Sequence, residues 1–106
     1  MSTITSKQHD TGRVIRSFLK LNGVAIPLAG ATVVLIIKDP DAGTAVRRNA
    51  TTQDAVTAEV RYQPVAGDVA NPGTFLLEWE ITFADTKLQT APDGEYDVWT
   101  ILKDLG

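Results

Sequence analysis

The sequence contains no cysteine and a single histidine, His9. Without cysteine the chain has no disulfide framework, no thiolate metal site and no cysteine nucleophile. One histidine in a polar segment does not supply a multi-histidine zinc site or a catalytic triad. We therefore predict a protein that is not an enzyme, with no catalytic residue, no bound metal and no cofactor.

Clustered positive charge is missing as well. Ten basic residues stand against thirteen acidic ones, for a formal charge of -3, and the paired basic residues are Arg47 and Arg48. Binding to nucleic acid phosphates depends on clustered positive charge. Nucleic acid is therefore not an expected partner.

Long apolar runs are also absent. The longest, "ATVVLII" from Ala31 to Ile37, is far shorter than the roughly 20 residues that span a bilayer. The N-terminal "MSTITSKQHDTG" lacks the apolar core of a signal peptide. We expect neither a membrane anchor nor export by that route.

The length of 106 residues predicts one domain, because two separate cores would not fit in a chain of this size. Residues 1–12 are polar and aperiodic, so we interpret them as an arm that is flexible or becomes ordered only against a partner. Residues 13–106 are predicted to form the folded domain. Its hydrophobic fraction of 43% is ordinary for a globular protein.

The pattern of the domain is that of short β-strands. Asn22 and Gly23 separate two short apolar segments and predict a two-residue hairpin turn. The segment "ATVVLIIK" predicts a central strand, Pro72 and Gly73 suit a type II turn, and "EYDVWTILK" predicts the last strand. About seven or eight strands with regularly spaced turns predict an all-β fold, a single immunoglobulin-like antiparallel β-sandwich.

Several carboxylates lie in the strand predicted from Phe75 to Phe83. Its odd-numbered residues are large and apolar, whereas Glu78 and Glu80 are even-numbered, so the glutamates are predicted to face water. Their separation of about 7 Å would suit an inverting glycosidase. Such a pair needs a desolvated carboxyl and a cleft, which a sandwich this small does not supply, so we favour a solvated face.

The segment "DPDAG", Asp39 to Gly43, begins like a calcium-binding loop. Such a loop requires a bidentate Glu at its twelfth position, where this chain has Ala50. A turn is the favoured interpretation, and a weak calcium site shared with a neighbouring loop is the alternative.

Apolar residues occur on both faces of two predicted strands. Val34 and Ile36 lie opposite the core face of the central strand, and both faces of the last strand, including that of Trp99, carry apolar groups. A sandwich strand has one core face, so these residues predict contact with another subunit, with ordinary partial exposure as the alternative. Together with His9 and Ile4 of the arm they form the candidate interface.

Short motifs across the chain resemble those of a known family. They are "GATV" at Gly30–Val33 before the central strand, "PGTF" at Pro72–Phe75 opening the long strand, and "QTAP" at Gln89–Pro92 before the last one. From about Thr11 to Ile101 the sequence resembles the N-terminal immunoglobulin-like domain of BppU-type bacteriophage baseplate upper proteins. One departure is Thr86, where the family usually has glycine after the aspartate of the late hairpin.

The resemblance implies a virion structural protein, assembled in the host cytoplasm and docked in the tail, baseplate or neck. Its partners would be other phage structural proteins, in a homo-oligomer or a multi-copy assembly. A decoration protein of the capsid surface is an alternative within the same class. A different alternative is a carbohydrate-binding module that stacks host glycans on Trp99 and Tyr96.

Overall fold

The computed structural model describes residues 3–91 and 97–103. These residues form eleven β-strands and one turn of 3₁₀-helix, Ala66–Val69. The strands are β1 (Thr3–Lys7), β2 (Ile15–Phe18), β3 (Lys20–Leu21), β4 (Val24–Ala25), β5 (Thr32–Asp39), β6 (Thr44–Asn49), β7 (Thr51–Asp54), β8 (Glu59–Tyr62), β9 (Gly73–Thr82), β10 (Leu88–Ala91) and β11 (Asp97–Leu102).

The strands form two main sheets. The larger has the order β1-β11-β9-β5-β6, with β10 also paired to β9, and the smaller has the order β2-β8-β7. Strands β3 and β4 make a separate hairpin. Buried side chains from both sheets form one core cluster, so the molecule is an all-β, immunoglobulin-like sandwich, which confirms the predicted fold class.

Two details of the architecture differ from the sequence prediction. The pairing of β1 with β11 is parallel, so the larger sheet is mixed, whereas the other strand pairs of the described residues are antiparallel. The strand count also exceeds the predicted seven or eight, because predicted runs are split and the predicted arm contributes a strand. At Ala50 the chain passes from β6 in the larger sheet to β7 in the smaller one.

The predicted arm contains a strand. Residues Thr3–Lys7 form β1, whose register runs from Thr3 opposite Val98 to Lys7 opposite Leu102. The expectation that residues 1–12 have little structure of their own is therefore wrong for this part of the arm. Its partner is the last strand of the same chain, not another protein.

The alternation predicted for β9 is confirmed. Leu77, Trp79 and Ile81 are completely buried, whereas Glu78 and Glu80 are partly exposed on the opposite face. Strand β5 alternates in the same way and supplies three further core residues. The seventeen buried apolar residues among those described are Ile15, Leu19, Ile26, Leu28, Val33, Leu35, Ile37, Ala58, Val60, Tyr62, Val69, Leu77, Trp79, Ile81, Ala91, Trp99 and Ile101.

Two hairpin turns use the left-handed backbone region. Asn22 and Gly23 have φ angles of 53° and 78°, as a two-residue turn with positive φ at both positions requires, so the predicted β3–β4 hairpin is confirmed. Between β9 and β10, Thr86 has φ of 70°.

Candidate interaction surfaces

The outer face of the larger sheet is the surface that turns away from the core. Strand pairing places Val34 opposite Glu80 and Ile36 opposite Glu78 on this face. Both apolar residues are half-buried. Arg47 of the edge strand β6 forms an ion pair with Glu80 across β5, so charged groups flank the two apolar side chains.

The apolar residues continue across the outer face. Leu76 of β9 lies between Lys38 of β5 and Val98 of β11 in the sheet register. Leu76 and Val98 are half-buried. With Val34 and Ile36 they form an oblique aliphatic row over three adjacent strands. Such a row within a polar surround is typical of the centre of a protein–protein contact.

Trp99 does not belong to this surface, and its assignment to the candidate interface is wrong. The residues of β11 that face the core are Asp97, Trp99 and Ile101, and Trp99 is 0% exposed. Its indole Nε1 donates a hydrogen bond to Ser6 Oγ at 3.1 Å. The buried indole cannot offer a stacking platform for a sugar, and Tyr96 lies outside the described residues.

The two arm residues of the candidate interface have different environments. Ile4 lies opposite Trp99 in the sheet register and is half-buried against the core, so its main contact is internal. His9 is exposed and has a left-handed φ of 70°, and its backbone N–H donates to Val69 O at 2.8 Å. His9 is therefore the more exposed of the two.

The carboxylates singled out in the sequence do not converge. Glu78 and Glu80 lie on an open sheet face, and Glu80 is engaged by Arg47. Asp39 stabilises its own turn, since its Oδ1 accepts hydrogen bonds from the backbone N–H groups of Asp41 and Ala42 at 3.0 and 3.2 Å. Within residues 3–91 and 97–103 no group of acidic, histidine or cysteine side chains could hold a metal ion.

Two clusters were missed in the sequence. Arg48, Tyr62 and Asp68 meet between the sheets, where the Asp68 side chain is 2% exposed. Arg13, Arg16 and Arg61 line a groove at the side of the sandwich. Arg16 meets Arg61 through the pairing of β2 with β8, and Arg48 meets Tyr62 and Asp68 through the packing of the two sheets, so neither cluster is visible in the sequence.

The described part of the chain contains no helix with the length and apolar character needed to cross a membrane.

The two packed sheets and the single core between them define the class of the molecule as an immunoglobulin-like β-sandwich. A solved structure that shares this fold is the crystal structure of CopC from Methylosinus trichosporium OB3b, with a TM-score of 0.55. The match covers 100% of this chain and 89% of CopC, at 13% sequence identity, which shows a common fold and nothing further. No family model and no curated protein matches the sequence.

Proposed function

We propose that this chain is a non-enzymatic structural protein of a bacteriophage virion, a β-sandwich module that docks in the tail, baseplate or neck through protein–protein contacts. The observation that carries the proposal is the aliphatic row on the outer face of the larger sheet, centred on Val34 and Ile36. A partner that covers this row removes apolar surface from water, which is the main favourable term in association.

The motifs shared with the BppU-type domains support the same role. The first two lie at the starts of β5 and β9, where the backbone needs particular residues, and Gln89–Ala91 of the third lie in β10. Thr86 adopts a left-handed conformation where the family has glycine, which fits a common hairpin with one substituted residue. Motifs of this kind specify the fold more closely than the role. The proposed virion role therefore rests on the resemblance together with the aliphatic row of the outer face.

The proposed contact is modest in each copy and gains strength by repetition. Val34 and Ile36 are half-buried already, so each adds only part of its side-chain area to an interface. Arrangement in a ring or a multi-copy particle would raise the total affinity, because each further contact is made within an existing assembly. The charged neighbours Arg47 and Glu80 would then set the orientation of the partner.

The test is incorporation into particles. The Ile36→Lys substitution, which places a charge in the centre of the aliphatic row, is introduced into the gene in a phage genome that carries it. The amount of the protein in the purified particles is then measured. We expect the wild-type chain in the particles and loss of most of the variant. The matched control is Val56→Lys, since Val56 is 85% exposed and lies in the turn between β7 and β8.

Melting of both purified variants shows that they are folded before the comparison is made. Absence of the wild-type chain from particles, or equal incorporation of Ile36→Lys and wild type, would contradict the proposal. A reconstruction of the particle separates tail, baseplate or neck from the capsid alternative, because a decoration protein remains on purified empty heads.

A further inference from the structure

A groove of about 370 Å³ on the side of the sandwich is lined by Ile4, Arg13, Val14, Arg16 and Arg61. Ile4 belongs to β1, an end strand of the larger sheet, and Arg16 to β2, an end strand of the smaller sheet. The groove therefore runs between two sheet edges. Its lining combines two aliphatic side chains with three guanidinium groups.

The positive charge of this groove is only partly balanced. Arg16 and Arg61 are direct cross-strand neighbours in the pairing of β2 with β8, an arrangement of like charges that is destabilising by itself. One carboxylate serves both, since Glu59 Oε2 lies 3.5 Å from Arg16 Nη1 and 3.4 Å from Arg61 Nη2. Arg13 has no ion-pair partner among the described residues, which leaves two positive charges in excess within a chain of net charge -3.

Two of the guanidinium groups are held in place. Arg16 lies over the ring of Phe18, with Cζ 5.9 Å from the ring centroid, and the Glu59 side chain that bridges Arg16 and Arg61 is only 15% exposed. Arg61 Nε is buried, and the side chain as a whole is 42% exposed, so a ligand reaches it through its terminal nitrogens. Arginines that are held in this way and keep exposed N–H groups favour planar oxyanions such as carboxylates.

We propose that this groove binds the carboxylate side chains of an extended acidic segment of a partner protein. The guanidinium groups of Arg13, Arg16 and Arg61 pair with the carboxylates, and Ile4 and Val14 contact the aliphatic parts of the segment. The edge strands on either side provide backbone donors and acceptors with which an extended chain can pair. The site does not depend on the proposed virion role and lies apart from the aliphatic row of the outer face.

An acidic peptide fits better than a nucleic acid. Three arginines in one groove neutralise few phosphates, and the remainder of this acidic chain would repel a polyanion that extends beyond the groove. An alternating peptide of glutamate and valine places its carboxylates on one side, where they can meet the guanidinium groups, and its aliphatic groups on the other.

The experiment is a titration of the full chain with the blocked peptide acetyl-Glu-Val-Glu-Val-Glu-amide, followed by amide and arginine side-chain NMR signals. We expect saturable shifts at Arg13, Arg61 and Ile4, weakened by added salt, and no saturable shift with the glutamine version of the peptide. Arg13→Gln should raise the Kd about three- to fivefold, since it removes one partly exposed charge pair.

Lys87→Gln is the matched control, because it removes the same charge from the β9–β10 hairpin, away from the groove lining, and should leave the Kd unchanged. Arg13 lies outside the strands, so its substitution spares the sheet. Absence of saturable shifts, or an equal loss of affinity in Lys87→Gln, would overturn the proposal. Tighter binding of a short oligothymidylate than of the acidic peptide would also overturn it and would assign the groove to nucleic acid.

Discussion

Asp68 connects the two sheets through partly buried polar contacts. Its Oδ1 accepts a hydrogen bond from Nε of Arg48 in β6 at 3.0 Å and lies 3.0 Å from Nη2 of the same guanidinium group. Its Oδ2 accepts hydrogen bonds from the Tyr62 hydroxyl of β8 and from the Val65 backbone N–H. The carboxylate thus meets a charged fork on one side and two neutral donors on the other. This hydrogen bonding offsets the cost of burying it.

The same contacts change the acidity of Tyr62. Burial, followed by the hydrogen bond to Asp68 and the charge of that carboxylate, raises the pKa of Tyr62 from 10.0 to about 12. The folded state therefore favours the neutral phenol. The stabilisation that accompanies this preference is complete below about pH 10 and is lost as the pH rises toward about 12.

The prediction at this scale concerns stability at alkaline pH. Between about pH 10 and 12 the unfolding free energy of the wild-type chain should fall by on the order of 2 kcal/mol more than that of Tyr62→Phe. The reason is that phenylalanine has no ionisable hydroxyl. Urea unfolding of both proteins across this range measures the difference. Parallel pH profiles of stability for the two proteins would disprove the shift. So would a tyrosinate absorbance, present in the folded wild type and missing from folded Tyr62→Phe, that titrates near pH 10.

The hairpin between β9 and β10 contains a strained residue. The Thr86 N–H donates to Phe83 O at 2.8 Å, closing a turn, and Thr86 itself takes the left-handed conformation. In hairpins of this kind the left-handed position normally holds glycine, and a β-branched residue there is a clear outlier. Asp85 Oδ1 accepts from the Lys87 N–H at 3.1 Å and supports the turn despite the strain.

Replacing Thr86 by glycine should stabilise the protein. The left-handed region costs an L-residue about 1–2 kcal/mol, which glycine does not incur. The greater conformational freedom of glycine in the unfolded chain offsets part of this stabilisation. We expect Thr86→Gly to raise the unfolding free energy by about 0.5–1 kcal/mol in urea titrations. Thr86→Ala is the control, since it also removes the hydroxyl but keeps Cβ and should gain less; a loss of stability in Thr86→Gly would show that the turn is not strained.

Strands with strong alternation could be predicted from the sequence alone. The central residues of β9 and β5 each present one apolar face to the core, and the Asn22-Gly23 turn follows from two residues that tolerate positive φ. Strand β11 could not be assigned in this way. Both of its faces carry apolar residues, so the burial of Trp99 depends on which neighbours cover each face, and periodicity does not contain that information.

The candidate sites depend even more on tertiary pairing. Arg16 and Arg61 are 45 positions apart and become neighbours only through the register of β2 with β8. Successive side chains of β6 point to opposite faces of the sheet. Arg47 therefore meets Glu80 on the outer face, whereas Arg48 meets Asp68 on the face toward the smaller sheet. In contrast, the position of Val34 and Ile36 on the face opposite the core follows directly from the phase of β5.

At the scale of the whole molecule, the beginning of the described chain joins its end. Strand β1 pairs with β11, and the Ser6–Trp99 hydrogen bond spans 93 positions of sequence. The polar composition of "TITSK" gave no reason to expect a strand, since the energy that orders it comes from a partner at the other end of the chain. Closure of such a long loop is expected to occur late in folding.

The contribution of this closing strand can be measured with two substitutions on its opposite faces. Ser6 is buried and accepts the hydrogen bond of Trp99, whereas Thr5 is exposed. Ser6→Ala should lower the unfolding free energy by about 1–3 kcal/mol, because it leaves the buried indole N–H without its acceptor, and Thr5→Ala should cost less than about 1 kcal/mol. Urea unfolding followed by tryptophan fluorescence compares the two. Equal and small effects would mean that the first strand leaves the sandwich in solution and behaves as the flexible arm that the composition of residues 1–12 predicts.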